Sequence, residues 1–315
     1  MNSLSDSVNR LIDSQKQEWD LARRNYAELK HIRVKTLDFD VFQMQVQFNP
    51  ERVRSTAAPD PGTAVKKPAC FLCAANRPTE QQSVAWGNYE ILLNPYPIFD
   101  RHLTIPCREH TPQQMTGRFN DMLRLAEALP EFVITFNGAR SGASAPDHFH
   151  FQAVGKGVLP SEKEFMSWTD SEDIKTDENV TIATIEHYLR PAFIIHGLNI
   201  EETAEAAENI LRCLSSGAEE SQFNILAWSM PEGYIVVMFP RTAHRPKEFY
   251  AEGSDRIVFS PGVVDMAGVI ITVRPEDFDR MAAPLLKHLF EQVVPNGELW
   301  KEMKNQLRDC LSGNR

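Results

Sequence analysis

The stretch Asn137-Gly-Ala-Arg-Ser-Gly-Ala-Ser-Ala-Pro-Asp-His148-Phe-His150-Phe-Gln152 joins a loop rich in Gly and Ser to a His-x-His-x-Gln run. The apolar residues 132–136 (FVITF) precede it, and residues 148–154 (HFHFQAV) close it with alternating polar and apolar side chains. Both segments have the length and composition of strands. The sequence therefore predicts two strands joined by a Gly/Ser-rich loop.

The polar residues of the second strand are expected on one face. Side chains alternate along a strand, so His148, His150 and Gln152 point to one side, while Phe149 and Phe151 point to the other and can pack. Two histidines on one face also occur as hydrogen-bonded core residues or as metal ligands. The nearby Gln and the Gly/Ser loop favour a phosphate site instead, because small residues let backbone N–H groups approach an anion.

This run resembles the active-site signature of the histidine-triad superfamily, specifically its transferase branch, in which Gln replaces the third His. That branch contains galactose-1-phosphate uridylyltransferases, diadenosine tetraphosphate phosphorylases and GDP-hexose phosphorylases. The resemblance implies that His150 attacks the α-phosphorus of a nucleotide to form a nucleotidyl-histidine. It also implies that Gln152 hydrogen-bonds a phosphoryl oxygen.

The loop before the histidines supplies further candidates for substrate binding. We expect Asn137, Gly142 and Ser144 to contact the phosphates of the nucleotide. One departure concerns Ser144, because the uridylyltransferase pattern has one residue fewer between this position and the first His.

A second motif, Cys70-Phe-Leu-Cys73, lies among turn-forming residues. A CxxC is found as a zinc knuckle, as a redox pair or by coincidence, and a turn-rich setting favours the knuckle. A tetrahedral site needs two more ligands, for which His110 and His148 are the candidates. These four residues also match the zinc ligands of the uridylyltransferases, so zinc is the expected cofactor.

Residues upstream of the Gly/Ser loop are candidates for binding the nucleotide. Residues 37–48 (LDFDVFQMQVQF) predict one strand with a bulge near Val41. Arg52 and Arg54 follow it and could clamp a diphosphate; a solvated loop is the alternative interpretation. The segment NPYPIF resembles one in the histidine-triad transferases, which implies that Asn94 contacts the nucleotide.

The chain shows signs of an internal duplication. Pro106-x-x-x-His110-x-Pro112 and Pro240-x-x-x-His244-x-Pro246 each follow an apolar strand. In that register residues 263–273 (VVDMAGVIITV) take the place of the HxHxQ strand, and they contain no HxH. The second copy is therefore expected to keep the scaffold without the nucleophile. Its sequence also resembles the GDP-hexose phosphorylases, which contain two histidine-triad-like halves.

We therefore predict an α+β fold of two histidine-triad-like halves, with antiparallel sheets packed against helices and a degenerate second half. Residues 1–160 would form the catalytic half with the CxxC metal site. Residues 161–180 would be a linker or excursion, and residues 181–315 the degenerate half. A helix is expected to begin at Thr111, as the N-cap, and to run to about Leu129.

Composition limits the partners and the compartment. A formal charge of −10 and a pI near 5.4 argue against nucleic acid or an anionic membrane as partner. The chain has no apolar signal core and no run of about 18 apolar residues. Five Cys, two of them in the CxxC, fit a reducing cytosol, with Cys107, Cys213 and Cys310 as free thiols. We expect a soluble, cytoplasmic monomer or homodimer.

The predicted function is nucleotidyl transfer by double displacement, from a nucleoside diphosphate sugar to phosphate or a sugar phosphate. Within the same branch, a diadenosine tetraphosphate phosphorylase is the alternative. A nucleotide hydrolase is a further alternative, against which Gln152 argues. A catalytically silent nucleotide-binding or zinc-organised interaction module is the alternative from another class, against which the retained His150 argues.

Overall fold

The computed structural model describes residues 3–52, 69–167, 171–185, 188–215 and 220–313. Arg54, one of the two predicted phosphate-binding arginines, lies outside the described residues. Within these ranges helices pack against antiparallel sheets, which confirms the predicted α+β class. None of the helices in the described ranges combines the length and apolarity needed to cross a membrane.

The helices of the described ranges are, in chain order, Leu4–Glu18 (α1), Asp20–Glu28 (α2), Phe119–Ala128 (α3), Pro160–Ser167 (α4), Ile200–Leu214 (α5), Val263–Met266 (α6), Pro275–Arg280 (α7), Ala283–Phe290 (α8) and Gly297–Leu311 (α9). The strands are Arg33–Phe39 (β1), Phe42–Phe48 (β2), Ser83–Trp86 (β3), Tyr89–Leu93 (β4), His102–Pro106 (β5), Phe132–Asn137 (β6), His150–Gly155 (β7), Ser171–Thr176 (β8), Val180–Ile185 (β9), Phe193–Gly197 (β10), Phe223–Met230 (β11), Gly233–Pro240 (β12) and Val269–Thr272 (β13). The three longest helices begin at side-chain caps, namely Ser3, Asn199 and Asn296.

Ten strands form one antiparallel sheet in the order β3-β4-β5-β7-β6-β11-β12-β10-β9-β8. The strands of the two halves are connected in the same way. Each half begins with three consecutive strands that lie side by side from the outer edge of the sheet inward. The chain then forms a helix (α3 or α5) and two more strands, the second of which lies between the third strand and the first of this pair. β6 and β11 are therefore equivalent, and they pair with each other at the centre, with Asn137 opposite Asn224. This arrangement confirms the prediction of two halves with one topology.

The two faces of this sheet carry different layers. Helices α1, α3, α5 and α9 pack on one face, where Phe149 and Phe151 are buried. The other face packs against a three-stranded sheet, in the order β1-β2-β13, and against α6 to α8. Because side chains alternate along β7, His150 and Gln152 face this second layer.

The small sheet corrects two predictions. Residues 37–48 are not one bulged strand, since the slip near Val41 is the turn of a hairpin in which Phe39 pairs with Phe42. Residues 263–273 are not a second HxHxQ strand, because they form α6 and then β13, which pairs in parallel with β2. A short apolar run has no period that reveals its partner strand, so the sequence alone could not predict the hairpin or the parallel pairing of β13 with β2.

In the second half the counterpart of β7, which contains the HxHxQ residues His150 and Gln152, is β12. On the face that corresponds to His150 and Gln152 it presents Ile235, Val237 and Phe239, all buried in the core. The two P-x-x-x-H-x-P motifs are consequently not equivalent. The first follows β5, whereas the second follows β12.

Residues 161–180, expected as a linker or excursion, contain most of α4 and all of β8. β8 is the counterpart of β3, the edge strand of the first half. We propose that the second half begins at β8.

The helix predicted from Thr111 begins only at Phe119. Between them the backbone N–H groups of Met115 and Thr116 donate to the carboxylate of Glu220, at 2.8 and 2.9 Å. Gly117 has a φ of 75°, which a helix excludes. Contacts with the second half therefore replace the first turns of the predicted helix.

Cys213 and Cys310, predicted to be free thiols, form a disulfide that joins α5 to α9. The two residues are 97 positions apart and meet only because the helices pack together, with their Cα atoms 6.0 Å apart. Sequence spacing gave no sign of this pairing. Cys70, Cys73 and Cys107 are free thiols in the structure.

We expect Cys310→Ser to lower the free energy of unfolding by about 2–4 kcal/mol, because the bridge closes a long loop and restricts the unfolded chain. Urea denaturation with and without a reductant measures the effect. Reductant should shift the unfolding midpoint of the wild type toward that of Cys310→Ser and leave the midpoint of the variant unchanged. Identical midpoints in all four experiments would contradict the bridge.

Candidate active site and metal cluster

His150 opens β7 and is 2% exposed. Its Nδ1 lies 2.8 Å from the carbonyl oxygen of His148, which can only accept a hydrogen bond. Nδ1 therefore carries the ring proton, and Nε2 keeps its lone pair. Burial lowers the pKa of His150 to about 4, so the ring is neutral at neutral pH. A neutral imidazole of fixed tautomer has the form that a nitrogen nucleophile needs.

Gln152 is oriented by His102 on β5, a residue that the sequence analysis did not single out. The N–H of Ile98 donates to His102 Nδ1 at 3.1 Å, so the ring proton is on Nε2, which donates to Gln152 Oε1 at 3.1 Å. Burial lowers the pKa of His102 to about 3 and keeps this ring neutral. Because the oxygen of Gln152 is engaged, its amide N–H groups are the donors that it offers to a ligand.

Gln152 lines a polar cavity of about 70 Å³ between the two halves. The first half contributes four of the predicted substrate-binding residues, and the second half contributes a wall that was not predicted from the sequence. The lining residues are Arg52, Ile98, Asn137, Gly142, Ser144 and Gln152 from the first half, with Ser260, Gly262, Val263, Val264, Asp265 and Ile271 from the second.

A half-buried cation, Arg52, and a buried carboxylate, Asp265, both line this cavity. Burial lowers the pKa of Arg52 to about 10, while the Asp265 carboxylate opposes the shift. Burial raises the pKa of Asp265 to about 6, against hydrogen bonds from the N–H groups of Ile271 and Gly262 at 3.0 and 2.9 Å. At neutral pH the cavity therefore contains a guanidinium cation whose charge Asp265 partly offsets.

Asn137 holds the second-half wall in place. Its Oδ1 accepts from the N–H of Val263 and from the side chain of Asn224, each at 2.7 Å. The guanidinium of Arg241 donates to Asn224 Oδ1 at 2.6 Å and to the carbonyl of Pro261 at 2.8 Å. The oxygen of Asn137, predicted to contact substrate, is thus used in binding the wall.

Gly142 lies against the same wall. It has a φ of 97°, and a Cβ added there would lie 2.8 Å from the Cα of Gly262. Any other residue would push the loop and the wall apart. Gly142 therefore lets the two halves approach closely at the cavity.

The remaining predicted contacts differ in position. Ser144 is exposed at the cavity rim. Asn94 is buried, where its Oδ1 accepts from the N–H of Tyr96 at 2.9 Å and its amide donates to Thr104 at 3.1 Å. It does not line the cavity formed by the described residues, and its hydrogen bonds shape the turn after β4. Arg52 donates to the carbonyl of Tyr96 in that turn, at 2.7 Å.

Cys70, Cys73, His110 and His148 come together as predicted, with their ligand atoms all within 4.8 Å of one another. Nδ1 of His148 lies 3.2 Å from the sulfur of Cys70, and Nδ1 of His110 lies 3.2 Å from that of Cys73. Sulfur and nitrogen ligands of one tetrahedral zinc ion are roughly 3.5 Å apart. The spacing of these atoms therefore suits one shared ion.

The remaining ring nitrogens of this cluster are also engaged. His148 Nε2 lies 2.8 Å from the carbonyl of Cys107, and His110 Nε2 lies 3.2 Å from the carboxylate of Asp147. Both contacts place the ring proton on Nε2, so both Nδ1 lone pairs face the thiols. Such outer hydrogen bonds are the usual support of metal-binding histidines. The residues present thus fit a metal ion.

Two family models match consecutive parts of the chain. Residues 11–155 match a family described as a domain of unknown function (DUF4922), and residues 162–313 match one described as GDPGP1-like, C-terminal domain. Among curated proteins, none has a sequence that matches significantly.

Solved structures of one enzyme share the fold. The crystal structure of yeast Ap4A phosphorylase Apa2 has a TM-score of 0.62 at 15% identity and covers 93% of this chain and 95% of its own. The same enzyme in complex with Ap4A gives 0.62 at 15% identity, with coverage of 93% and 98%. A uridylyltransferase mutant gives 0.44 at 11% identity, with coverage of 78% and 95%. At 15% identity, the likeness to the Ap4A phosphorylase shows that the two chains share a fold.

Proposed function

We propose that the protein is a nucleotidyltransferase of the phosphorylase type that acts on a nucleoside diphosphate sugar through a nucleotidyl-histidine. The observation that carries the proposal is the fixed tautomer of His150. Its Nδ1–H is bonded to the His148 carbonyl, so a free Nε2 lone pair lies on the same strand face as the Gln152 amide. A dinucleoside polyphosphate is the second candidate donor, favoured by the fold match to an Ap4A phosphorylase.

The first step forms the covalent intermediate. The Nε2 lone pair of His150 attacks the α-phosphorus, a P–N bond forms, and the bond to the bridging oxygen breaks, so that the sugar phosphate leaves with the electron pair. The ring then carries a positive charge. The carbonyl of His148 stabilises that charge, because it accepts the Nδ1–H bond at 2.8 Å.

The second step regenerates the enzyme. An oxygen of phosphate or of a sugar phosphate attacks the same phosphorus, and the P–N bond breaks to return a neutral His150. Gln152 holds a phosphoryl oxygen with its N–H groups, and Arg52 offsets the phosphate charge from the cavity wall. We propose that Gly142 and Ser144 border the phosphates and that Asn94, Asn137 and Arg54 support this site.

We expect a radiolabelled nucleoside diphosphate sugar to leave an acid-labile label on the wild type when no acceptor is present. His150→Asn should abolish both label and turnover, because Asn lacks the nucleophilic ring nitrogen. Gel analysis of the labelled protein, with ADP-, GDP- and UDP-glucose as donors, measures the adduct. His288→Asn is the matched control, since His288 is half exposed on α8 and bonds Glu248 instead. Normal turnover by His150→Asn would contradict the proposed mechanism.

Acceptor dependence should separate a transferase from a hydrolase. Gln152 cannot move a proton at neutral pH, so the intermediate should react with an anionic acceptor that needs little deprotonation rather than with water. Donor consumption should therefore be slow until phosphate or a sugar phosphate is added, with ping-pong kinetics. Equal rates with and without these acceptors would favour the hydrolase.

We propose that the ion held by Cys70, Cys73, His110 and His148 is zinc and that its role is structural. The donor set of two thiols and two imidazoles supports zinc over harder cations. When bound, the ion would tie the CxxC segment to the residues around His148. The cluster side chains provide four ligands, which leaves a tetrahedral ion no open position for chemistry.

About one zinc per chain is expected in protein purified without chelator, and Cys70→Ser should lose it and unfold at lower urea, because structural metal binding is coupled to folding. Elemental analysis and denaturation measure the two effects. Cys107→Ser is the matched control, since Cys107 is a free thiol outside the cluster. A metal-free wild type, or equal zinc in Cys70→Ser, would overturn this assignment.

We propose a cytoplasmic location, which the free thiols of Cys70 and Cys73 support. The Cys213–Cys310 disulfide is the feature that a reducing compartment would open. Alkylation of thiols in freshly lysed cells, followed by mass spectrometry, distinguishes the compartments. Recovery of Cys213 and Cys310 only as a disulfide would contradict a cytoplasmic location.

A further inference from the structure

Gln113 is a buried side chain, 1% exposed, that touches the backbone of the proposed nucleophile. Its Oε1 accepts from the N–H of His150 at 2.8 Å. Its Nε2 donates to the carbonyl of His150 and to the carbonyl of Asn137, each at 3.0 Å. One amide therefore satisfies both polar backbone groups of His150.

These contacts take the place of strand pairing. The pairing of β6 with β7 runs from Phe132–Gly155 to Thr135–Gln152. Two residues further, the same register would set Asn137 opposite His150. There the amide of Gln113 bridges the two strands instead, so the strand ends are held at a fixed separation where the Gly/Ser loop begins.

The segment that carries Gln113 is held by the second half. Glu220 accepts from the N–H groups of Met115 and Thr116 and from the Thr116 hydroxyl, the last at 2.8 Å. Glu208 accepts from the N–H of Gly117. Hydrogen bonds to Glu208 on α5 and to Glu220 thus hold residues 115–117, which are joined through the backbone to Gln113 and its bonds to His150.

We propose that Gln113 is a positioning residue for His150 and that the second half acts on the nucleophile through it. By binding the N–H and the carbonyl on either side of the His150 Cα, the amide limits rotation of the backbone and so sets the direction of the imidazole. The Nδ1–H bond to His148 then completes the orientation. This inference rests on the proposed function, because it assigns His150 the role of nucleophile.

A matched pair of variants tests the proposal. Gln15 is a second buried glutamine, 0% exposed, whose amide also bridges backbone groups: it donates to Glu80 and accepts from the N–H of Gln82, both at 3.0 Å. Met has nearly the shape of Gln but none of its hydrogen bonds. Gln113→Met and Gln15→Met should therefore lose similar stability while differing in their effect on catalysis.

With radiolabelled ADP-, GDP- or UDP-glucose, we expect Gln113→Met to slow nucleotidyl-histidine formation by about 10- to 100-fold at saturating donor, with KM changed little. Gln15→Met should leave the rate within about 2-fold of the wild type. Gln113→Glu keeps the acceptor for the His150 N–H but turns a carboxylate toward two carbonyls, so it should also be slow. Equal rates for the Gln113 and Gln15 variants would overturn the proposal.

A second measurement separates this proposal from the proposed function. Nitrogen NMR of the His150 ring reports its tautomer without any turnover. Gln113→Met should convert the single Nδ1–H tautomer into a mixture, whereas Gln15→Met should not. An unchanged tautomer would overturn the positioning role. A wild type that forms no adduct, together with a changed tautomer in Gln113→Met, would overturn only the proposed function.

Discussion

The antiparallel pairing of β6 with β11 is the interaction on which the rest of the structure depends. It joins the halves at equivalent strands and sets Asn137 opposite Asn224 beside the Gly/Ser loop. Asn137 Oδ1 accepts from the amide of Asn224 and from the N–H of Val263, so residues 260–265 are brought over the face of β7. If the two halves were joined along an outer edge instead of at β6 and β11, the cavity would lack one of its walls.

This arrangement explains how the second half, which has no counterpart of His150, still forms part of the cavity. Arg241 is buried, and its guanidinium donates to the side chain of Asn224 and to the carbonyls of Val293, Pro261, Ala243 and His244. Removing a buried cation from water is offset only when its donors are satisfied, so this network tolerates little movement. The second half thus supplies rigidity beside the proposed nucleophile, His150, of the first half.

How much the sequence predicts depends on how local the contacts are. The strand face shared by His150 and Gln152, and the four residues of the metal cluster, follow from period, spacing and a family resemblance. His102, Gln113 and the disulfide could not be predicted, because each depends on strands or helices that are distant in sequence. The register of the duplication was wrong for the same reason: short apolar runs do not reveal their neighbours in a sheet.

The double use of His148 gives a physical reason for the His-x-His spacing. Its side chain points Nδ1 at the sulfur of Cys70, while its carbonyl accepts the Nδ1–H of His150. His148 lies in the bend just before β7, and its position two residues before His150 brings its carbonyl within reach of Nδ1 of that ring. An inserted residue would move the His148 carbonyl away from Nδ1 of His150 and break the bond that fixes the tautomer. The Cys/His cluster and the proposed nucleophile, His150, are therefore linked through one residue, and the segment around His148 contributes to the orientation of the His150 ring.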